Sequence, residues 1–354
     1  MKKLIALCLA ALLIVACFAG CGAKKPAEKE FIILVKSSQS TYWQAAIQGV
    51  DSMAQELGVK VTTQGPNAES DIADQVTMLN NAIEAGVAGI GLAACDANSV
   101  LDSLKVAKEK GIPVICFDSG VPDAPEGSVL STIATDNYGA GATAAEHIYD
   151  AVKGILGASV CRIGVVAQDA TSESNTQRGL GFVDTIIDKA TADGLSVAVV
   201  GNEYFVNGCK AAGDEASAQL IVEVAVPAQT TTELSATEAS AILNKEDTVA
   251  IFGTNQVTAE GILLANDNLN VLGTEAGSSI LAAGFDAGST IKGAITNGVM
   301  FGAVTQSPLN MGKETVKALN TIVDGGSVSD ISTAGLWYDA SNIDAADIAP
   351  NLYD

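Results

Sequence analysis

Short apolar runs alternate with amphipathic segments along the chain from residue 31 onward. The runs predict buried strands, and the segments, in which apolar residues recur every three or four positions, predict helices. Continuously apolar strands are typical of a parallel sheet that helices cover on both faces. In the first half of the chain, the predicted strands span residues 31–35, 59–63, 89–94 and 112–117.

The second half repeats this alternation. Its predicted strands span residues 160–166, 197–200, 220–226, 249–252, 280–285 and 300–304. Over the whole chain, the predicted helices span residues 43–57, 72–83, 101–107, 138–152, 179–189, 233–243, 257–266, 289–297 and 309–323. This order of elements favours an α/β fold made of two successive doubly wound parallel sheets.

The first 30 residues form a different pattern. Lys2 and Lys3 precede an unbroken apolar run over residues 4–18. Such a run makes about 22 Å of helix, short of the ~30 Å core of a bilayer, and is typical of a secretory signal. Phe18-Ala19-Gly20-Cys21 then resembles a lipobox, and a polar segment follows it. We therefore predict a signal peptide over 1–20, lipidation at Cys21 and a tether over 21–30.

Two alternatives remain at this terminus. Ile14-Val15-Ala16-Cys17 also fits a lipobox loosely, so Cys17 is a second candidate for the lipidated residue. The second alternative is an ordinary cleaved signal peptide in which the cysteine is incidental and not lipidated.

Composition excludes several classes of function. The 354 residues include 19 Lys plus Arg against 41 Asp plus Glu, a formal net charge of −22. This charge argues against nucleic acid as a partner, because such proteins need a basic surface against the phosphates. The hydrophobic content of 48% excludes a disordered chain. The single histidine, His147, argues against most zinc hydrolases and Ser-His-Asp enzymes.

The cysteines give no sign of a metal site. Cys95, Cys116, Cys161 and Cys209 lie outside the signal segment and show neither a C-x-x-C motif nor metal-ligand spacing. Cys116 and Cys161 fall within apolar strands, so we predict buried thiols there. A disulfide among the four is compatible with export, but the sequence does not pair them.

Polar residues end three of the predicted strands. Asp118 follows Phe117, Asp286 follows Phe285, and Thr254-Asn255 follows the strand over 249–252. In open α/β sheets, ligands bind beyond the carboxyl ends of the strands, which makes these side chains candidates for a binding site. Helix N-caps are the alternative role for each of them.

A set of motifs, in order along the chain, now resembles a known family. It comprises the signal and lipobox, Ser40-Thr41-Tyr42-Trp43, Gly111-Ile112-Pro113-Val114 before Asp118, Thr135-Asp136-Asn137, Arg178-Gly179-Leu180-Gly181-Phe182, Thr254-Asn255, Gly284-Phe285-Asp286 and Gln306 before Pro308. This order resembles the ribose/galactose-type substrate-binding proteins of ABC sugar importers, which have the type I periplasmic-binding fold. The resemblance runs from about residue 31 to the C-terminus.

The resemblance implies two lobes joined by a three-segment hinge that closes on a ligand. The N-terminal lobe would comprise residues 31–135 and 307–334, and the C-terminal lobe residues 136–306 and 335–354. Tyr42 and Trp43 would cover a sugar face, and Asp118 would accept sugar hydroxyls. Arg178 would donate to ring oxygens, with further contacts from the second lobe and hinge. The implied ligand-binding set is Tyr42, Trp43, Asp118, Ser119, Arg178, Asn255, Phe285, Asp286 and Gln306.

Three of these residues have a plainer alternative. Trp43 lies on the periodic face of its helix and could serve only the core. Arg178 could be a surface residue at a helix start, and Gln306 could form only a hinge hydrogen bond. The chain also departs from ribose-binding members, with Ala93-Ala94 at the third strand end and Ser119 after Asp118, and has an extra segment near 201–226.

The predicted function is therefore capture of a monosaccharide and its delivery to an ABC permease, without catalysis, metal or cofactor. We expect a monomer anchored outside the cytoplasm. A nucleoside, a polyol or a signal molecule are alternative ligands for the same fold, and a ligand sensor paired with a membrane receptor is an alternative role. The two Phe-Asp strand ends also match a glycosidase carboxylate pair, a less favoured interpretation.

Overall fold

The computed structural model describes residues 29–210 and 213–354. The predicted signal peptide, Cys17 and Cys21 lie outside the described residues. The strands are β1 (Glu30–Leu34), β2 (Lys60–Gln64), β3 (Gly89–Leu92), β4 (Val114–Phe117), β5 (Ser131–Thr135), β6 (Cys161–Val166), β7 (Val197–Gly201), β8 (Leu220–Ala225), β9 (Thr248–Gly253), β10 (Leu272–Gly273), β11 (Ile280–Phe285), β12 (Gly302–Thr305), β13 (Ile331–Thr333) and β14 (Leu336–Tyr338).

Helices connect most of these strands. They are α1 (Thr41–Leu57), α2 (Ile72–Ala85), α3 (Leu101–Glu109), α4 (Asn137–Val152), α5 (Glu173–Ala192), α6 (Glu203–Gly208), α7 (Thr232–Leu243), α8 (Gln256–Leu269), α9 (Ser289–Thr296) and α10 (Pro308–Val323). Among the described residues, no helix is both long enough and apolar enough to cross a membrane.

The strands form two separate sheets. The first has the order β13-β5-β4-β3-β1-β2 and is parallel throughout. The second has the order β14-β12-β11-β9-β6-β8-β7, with β10 beside β11, and only β14 runs antiparallel to its neighbour. The α/β fold class with two doubly wound parallel sheets is confirmed.

The chain passes between the sheets three times. β5 belongs to the first sheet, and α4, which follows it directly, packs on the second. β12 belongs to the second sheet, and the next helix, α10, packs on the first. Only residues 334 and 335 separate β13 from β14, which lie in different sheets. These crossings match the three-segment hinge that the resemblance implies.

Each sheet is buried on both faces, as its apolar strands predict. Phe31 and Ile33 of β1 face one core cluster, whereas Ile32 and Leu34 face another on the opposite side of the sheet. Two further clusters cover the faces of the second sheet. This burial of apolar surface is the main stabilising contribution to each lobe.

Helix α5 begins six residues earlier than the apolar period predicts, at Glu173 instead of residue 179. Its first turns carry Ser174, Asn175 and Thr176, which are buried despite being polar. Ser174 and Asn175 face the space between the lobes, and the Thr176 hydroxyl donates to carbonyl oxygens of its own helix, so these positions show no apolar periodicity in the sequence. Arg178 consequently lies within the helix and not at its start.

Other differences are local. The apolar pattern does not predict β10, β13 and β14, which have only two or three residues, or β5, which alternates between buried and half-buried positions. The extra segment near 201–226 contains α6 and a short 3-10 helix over Glu215–Ser217. Cys116 and Cys161 are buried thiols, as predicted. All four cysteines among the described residues are free.

Candidate functional site

A small cavity lies between the two lobes, where the carboxyl ends of both sheets face each other. Its volume is about 20 Å³, room for about one water molecule. Residues from both lobes line it: Lys36, Ser40, Tyr42, Trp43, Glu69, Asp118, Ser174, Asn175, Arg178, Asn255, Gln256, Val257, Asp286 and Gln306.

The two strand-end aspartates share an unusual backbone conformation. Asp118, directly after β4, has φ 63°, and Asp286, directly after β11, has φ 74°. Among the described residues, the only other non-glycine residue with positive φ is Asn270, which ends helix α8. The left-handed region costs an L-residue roughly 1 kcal/mol or more, and such strain concentrates at functional sites. Each sheet therefore aims one strained carboxylate into the cavity.

A buried cation and a phenol hold Asp118. Lys36 Nζ lies 3.1 Å from Asp118 Oδ2, and both side chains are almost wholly buried. Tyr42 Oη donates to Asp118 Oδ1 at 2.5 Å. Burial alone would lower the pKa of Lys36, but the carboxylates of Asp118, Glu69 and Asp169 outweigh it and raise that pKa. Lys36 is therefore positively charged at neutral pH, in the first wall of the cavity, which the N-terminal lobe contributes.

Neutral amides hold Asp286. Gln306 Nε2 donates to Asp286 Oδ1 at 2.7 Å, and the backbone N–H of Gln256 donates to Asp286 Oδ2 at 3.1 Å. Gln256 is the first residue of α8, so this carboxylate meets the positive end of a helix. Burial nevertheless raises the pKa of Asp286 to about 6, against the opposing effect of the Arg178 guanidinium.

Close helix packing positions Arg178. A Cβ on Gly141 of α4 would lie 2.1 Å from the carbonyl oxygen of Arg178, so only glycine lets α4 and α5 approach this closely. The guanidinium Nε donates to Asn137 Oδ1 at 2.9 Å, and Nη2 donates to Gln306 Oε1 at 3.1 Å. Its Cζ lies 3.9 Å from the centre of the Phe285 ring. These contacts hold a rigid donor fork at the cavity.

The aromatic pair of α1 contributes packing and a polar contact. The Tyr42 and Trp43 rings meet edge to face, with centroids 4.9 Å apart. Trp43 belongs to a core cluster of the first lobe, yet its Nε1 donates to Glu69 Oε1 at 2.7 Å. Trp43 thus serves the core and lines the cavity, and the two roles are compatible.

A hydrogen-bond chain crosses from one lobe to the other. Gln168 Nε2 donates to Glu69 Oε2 at 2.8 Å, and Asn255 Nδ2 donates to Gln168 Oε1. Asn255 Oδ1 also accepts from the backbone N–H of Thr258, which makes Asn255 the N-cap of α8. The capping alternative therefore holds for Asn255, which lines the cavity as well and donates from its amide nitrogen to Gln168.

Most of the predicted site residues come together. Seven of the nine line the cavity, and Ser119 and Phe285 do not. Ser119 Oγ instead accepts from the backbone N–H of Ser174 at 3.2 Å, across the interface between the lobes. Phe285 supports the Arg178 guanidinium from behind. A role for either residue in direct ligand contact stays a prediction.

The structure decides two of the plainer alternatives. Arg178 is only 3% exposed, so its interpretation as a surface residue is wrong. Gln306 does form a hinge hydrogen bond, because its Oε1 accepts from Thr135 Oγ1 at 2.8 Å. The same residue also donates to Asp286, so the hinge bond does not exclude a place in the site.

Sequence reasoning missed several lining residues, namely Lys36, Ser40, Glu69, Ser174, Asn175, Gln256 and Val257. Lys36 lies two residues beyond the end of β1, and the rule that ligands bind beyond strand ends could have found it. Glu69 lies in the loop between β2 and α2 and carries no comparable signal.

The chemistry of the cavity is that of a polar binding site. Carboxylates, amides, a guanidinium and a phenol supply hydrogen-bond acceptors and donors around the cavity, and aromatic rings border it. Among the described residues, no group of three or more histidine, cysteine, aspartate or glutamate side chains could hold a metal ion. The arrangement suits a small molecule edged with hydroxyl groups and with apolar faces.

Comparison with known proteins places this architecture among binding proteins. The model of the periplasmic binding protein domain family matches residues 31–327. The ribose import binding protein RbsB of Bacillus subtilis is 25% identical over 312 residues, covering 87% of each chain.

Solved structures agree with this match. An ABC transporter solute-binding protein from Agrobacterium vitis with bound D-fucose is 27% identical, with a TM-score of 0.77, and the match covers 92% of this chain and all of that one. A Brachyspira murdochii protein described as an ABC transporter, LacI family transcriptional regulator, is 31% identical, with a TM-score of 0.74, over 93% of this chain and 99% of that one.

Proposed function

The chain belongs to the periplasmic binding protein family, and from this premise we propose that it captures a monosaccharide between its lobes and delivers it to an ABC importer. The observation that carries this proposal is the convergence of Asp118, Asp286 and Arg178 with an aromatic pair in one interlobe cavity. Relatives over the whole fold include a ribose import protein and a protein with bound D-fucose.

The residue types match the surface of a sugar. Ionised aspartates accept hydroxyl protons, and the guanidinium of Arg178 donates in a fixed geometry. The flat rings of Tyr42 and Trp43 can cover the C–H faces of the ring. We propose that the cavity residues bind the sugar without reacting with it, so that the protein is not an enzyme.

Binding requires the lobes to separate. A monosaccharide is many times larger than the cavity of about 20 Å³. In the closed arrangement the site residues also satisfy each other, for example Tyr42 with Asp118 and Gln306 with Asp286. We therefore infer that the hinge opens, and that a sugar then replaces these internal hydrogen bonds before the lobes close.

The charges favour a neutral ligand. The cavity is lined by three carboxylates, of Glu69, Asp118 and Asp286, against the two cations Lys36 and Arg178. A phosphorylated or acidic sugar would add negative charge to a buried site that already has an excess of it, at a large cost in free energy. A neutral pentose or hexose avoids that cost.

The anchoring and location are parts of the same proposal. Lipidation of Cys21 would hold the protein at the outer face of a membrane, next to its permease. Metabolic labelling with palmitate tests this, with Cys21→Ser expected to abolish labelling and Cys17→Ser expected to retain it. We also propose a monomer, with lobe boundaries at 31–135 plus 307–334 and 136–306 plus 335–354, supported by the sheet to which each strand belongs.

A thermal-shift panel tests the ligand class. The chain from residue 31 onward is heated with pentoses, hexoses, polyols and nucleosides, including D-ribose and D-fucose. A ligand at a hundredfold excess over its Kd should stabilise the protein by roughly 2.7 kcal/mol. A shift with a neutral monosaccharide supports the proposal. Shifts confined to nucleosides or polyols, or no shift with any compound, would overturn the sugar assignment.

A further inference from the structure

The C-terminal segment returns to the hinge after leaving the second sheet. Its short 3-10 helix spans Ala349–Asn351. The carbonyl oxygen of Asn351 accepts from Thr305 Oγ1 at 2.9 Å, and its side-chain oxygen accepts from Ser307 Oγ. These partners flank Gln306, a residue of the cavity. The last residues of the chain are therefore fixed beside one of the hinge crossings.

Tyr353 then binds the strained turn that carries Asp286. Its Oη accepts from the backbone N–H of Ala287 at 3.2 Å, and its carbonyl oxygen accepts from the N–H of Gly288 at 3.1 Å. Tyr338 Oη donates to the carbonyl oxygen of Asp286 at 2.8 Å. The end of the chain thus holds two consecutive residues, Ala287 and Gly288, and β14 holds the carbonyl of Asp286, where the turn begins at a φ of 74°.

The same tyrosine reaches the other lobe. Its ring lies 5.9 Å from that of Tyr42, at an angle of 70°. It also packs against the core cluster of the first lobe. Tyr42 is the residue that donates to Asp118. The Tyr353 ring therefore lies beside Tyr42, which donates to Asp118. The Tyr353 hydroxyl binds the turn that carries Asp286.

From these contacts we propose that residues 349–354 form a strap that holds Asp286 in its ligand-binding position, with Tyr353 as its positioning residue. The inference rests on the proposed function, because it concerns the same cavity. Tyr353 does not line that cavity, so it acts through Asp286 and Tyr42.

Hydrogen exchange tests the strap directly in the ligand-free protein. Tyr353→Phe removes the acceptor of the Ala287 amide but keeps the backbone acceptor of Gly288. Exchange at Ala287 should accelerate about tenfold, with little change at Gly288. The matched control is Tyr204→Phe, at an exposed position of α6, which should change neither rate. Equal exchange at Ala287 in Tyr353→Phe and the original protein would overturn the proposal.

A shortened chain gives a second test of the same contact. A chain that ends at Leu352 lacks both acceptors, so exchange should accelerate at Ala287 and Gly288 together. Protection of both amides in this shortened chain would contradict the strap.

A pH series separates positioning from simple stabilisation. The groups that face Asp286 are Arg178, Asp118, Tyr42, Tyr338, Tyr353, Gln256 and Gln306. Loosening the turn should hydrate Asp286 and reduce the pH dependence of stability between pH 4 and 6. Tyr353→Phe should therefore reduce that slope, and should not change it when Asp286 is already asparagine. An equal loss of stability at every pH would mean a purely structural role.

These tests and the sugar panel fail independently. Hydrogen exchange and the pH series use no ligand, so the strap can be confirmed even if no sugar binds. A sugar can likewise bind to a protein in which Tyr353→Phe changes nothing, which would remove the strap alone.

Discussion

The two walls of the cavity carry the same motif and hold it by different means. A phenylalanine ends a strand of each sheet, and the aspartate that follows takes a left-handed backbone conformation. Asp118 is paired with the buried cation Lys36, whereas Asp286 accepts from the neutral amides of Gln306 and Gln256. The electrostatic environment of the same Phe-Asp dipeptide therefore depends on its contacts with residues distant in the sequence.

Of the changes to the two walls, removal of the Lys36 cation should have the largest effect on the free energy of unfolding. Lys36→Met leaves Asp118 buried without its countercharge and should lower the free energy of unfolding by about 3–5 kcal/mol. Adding Asp118→Asn to that variant should recover much of the loss. Chemical denaturation measures both, with the exposed pair partner Lys317→Met as a control that should change stability by less than about 0.5 kcal/mol. A double variant less stable than Lys36→Met would contradict the ion pair's role.

Asp286, in the wall that the C-terminal lobe contributes, should make the stability of the protein depend on pH. Burial raises the pKa of Asp286 to about 6, above the value of about 4 in an unfolded chain. Between these values the folded protein binds the proton more tightly, so its stability falls as the pH rises from about 4 to 6. Asp286→Asn should remove a decline on the order of 2–3 kcal/mol.

Denaturation at several pH values between 4 and 7 measures this decline. Burial also raises the pKa of Glu69. Stability in the Asp286→Asn variant should therefore keep a residual pH slope of the same sign. The prediction is wrong if Asp286→Asn and the original protein show parallel curves.

The tight packing of α4 against α5 in the second lobe offers a smaller test. A Cβ at Gly181 would lie 2.1 Å from the carbonyl oxygen of Tyr138, so Gly181→Ala should force α4 and α5 apart and cost about 1–3 kcal/mol. Because Arg178 lies on α5, sugar affinity should also fall. Gly293→Ala, with no atom near its Cβ, should instead stabilise α9 by about 0.5–1 kcal/mol. Denaturation and calorimetry on both variants check this, and equal stability in the two would refute it.

The sequence predicted those site residues whose role follows from the strand or helix in which they lie. Asp118, Asn255 and Asp286 could be predicted because strand ends in parallel sheets face a common edge. The apolar runs likewise predicted both sheets, since each is buried on two faces.

The remaining parts of the site depend on contacts between distant segments. Ser174 and Asn175 lie in the first turn of α5 and show no apolar periodicity, because they face the cavity instead of a core. Glu69 becomes part of the site only through Trp43 and Gln168. The return of the C-terminal segment to the hinge positions Tyr353, and no local sequence pattern predicts that return.

Calorimetric titration of the panel's best-bound sugar against Asp118→Asn and Asp286→Asn is the most direct test of the central claim. If both walls close on one ligand, each variant should bind about thirtyfold or more weakly, a loss of roughly 2 kcal/mol. Asp102→Asn, at an exposed position of α3, should bind as the original protein does. Unchanged affinity in either cavity variant would contradict a ligand held between the two carboxylates.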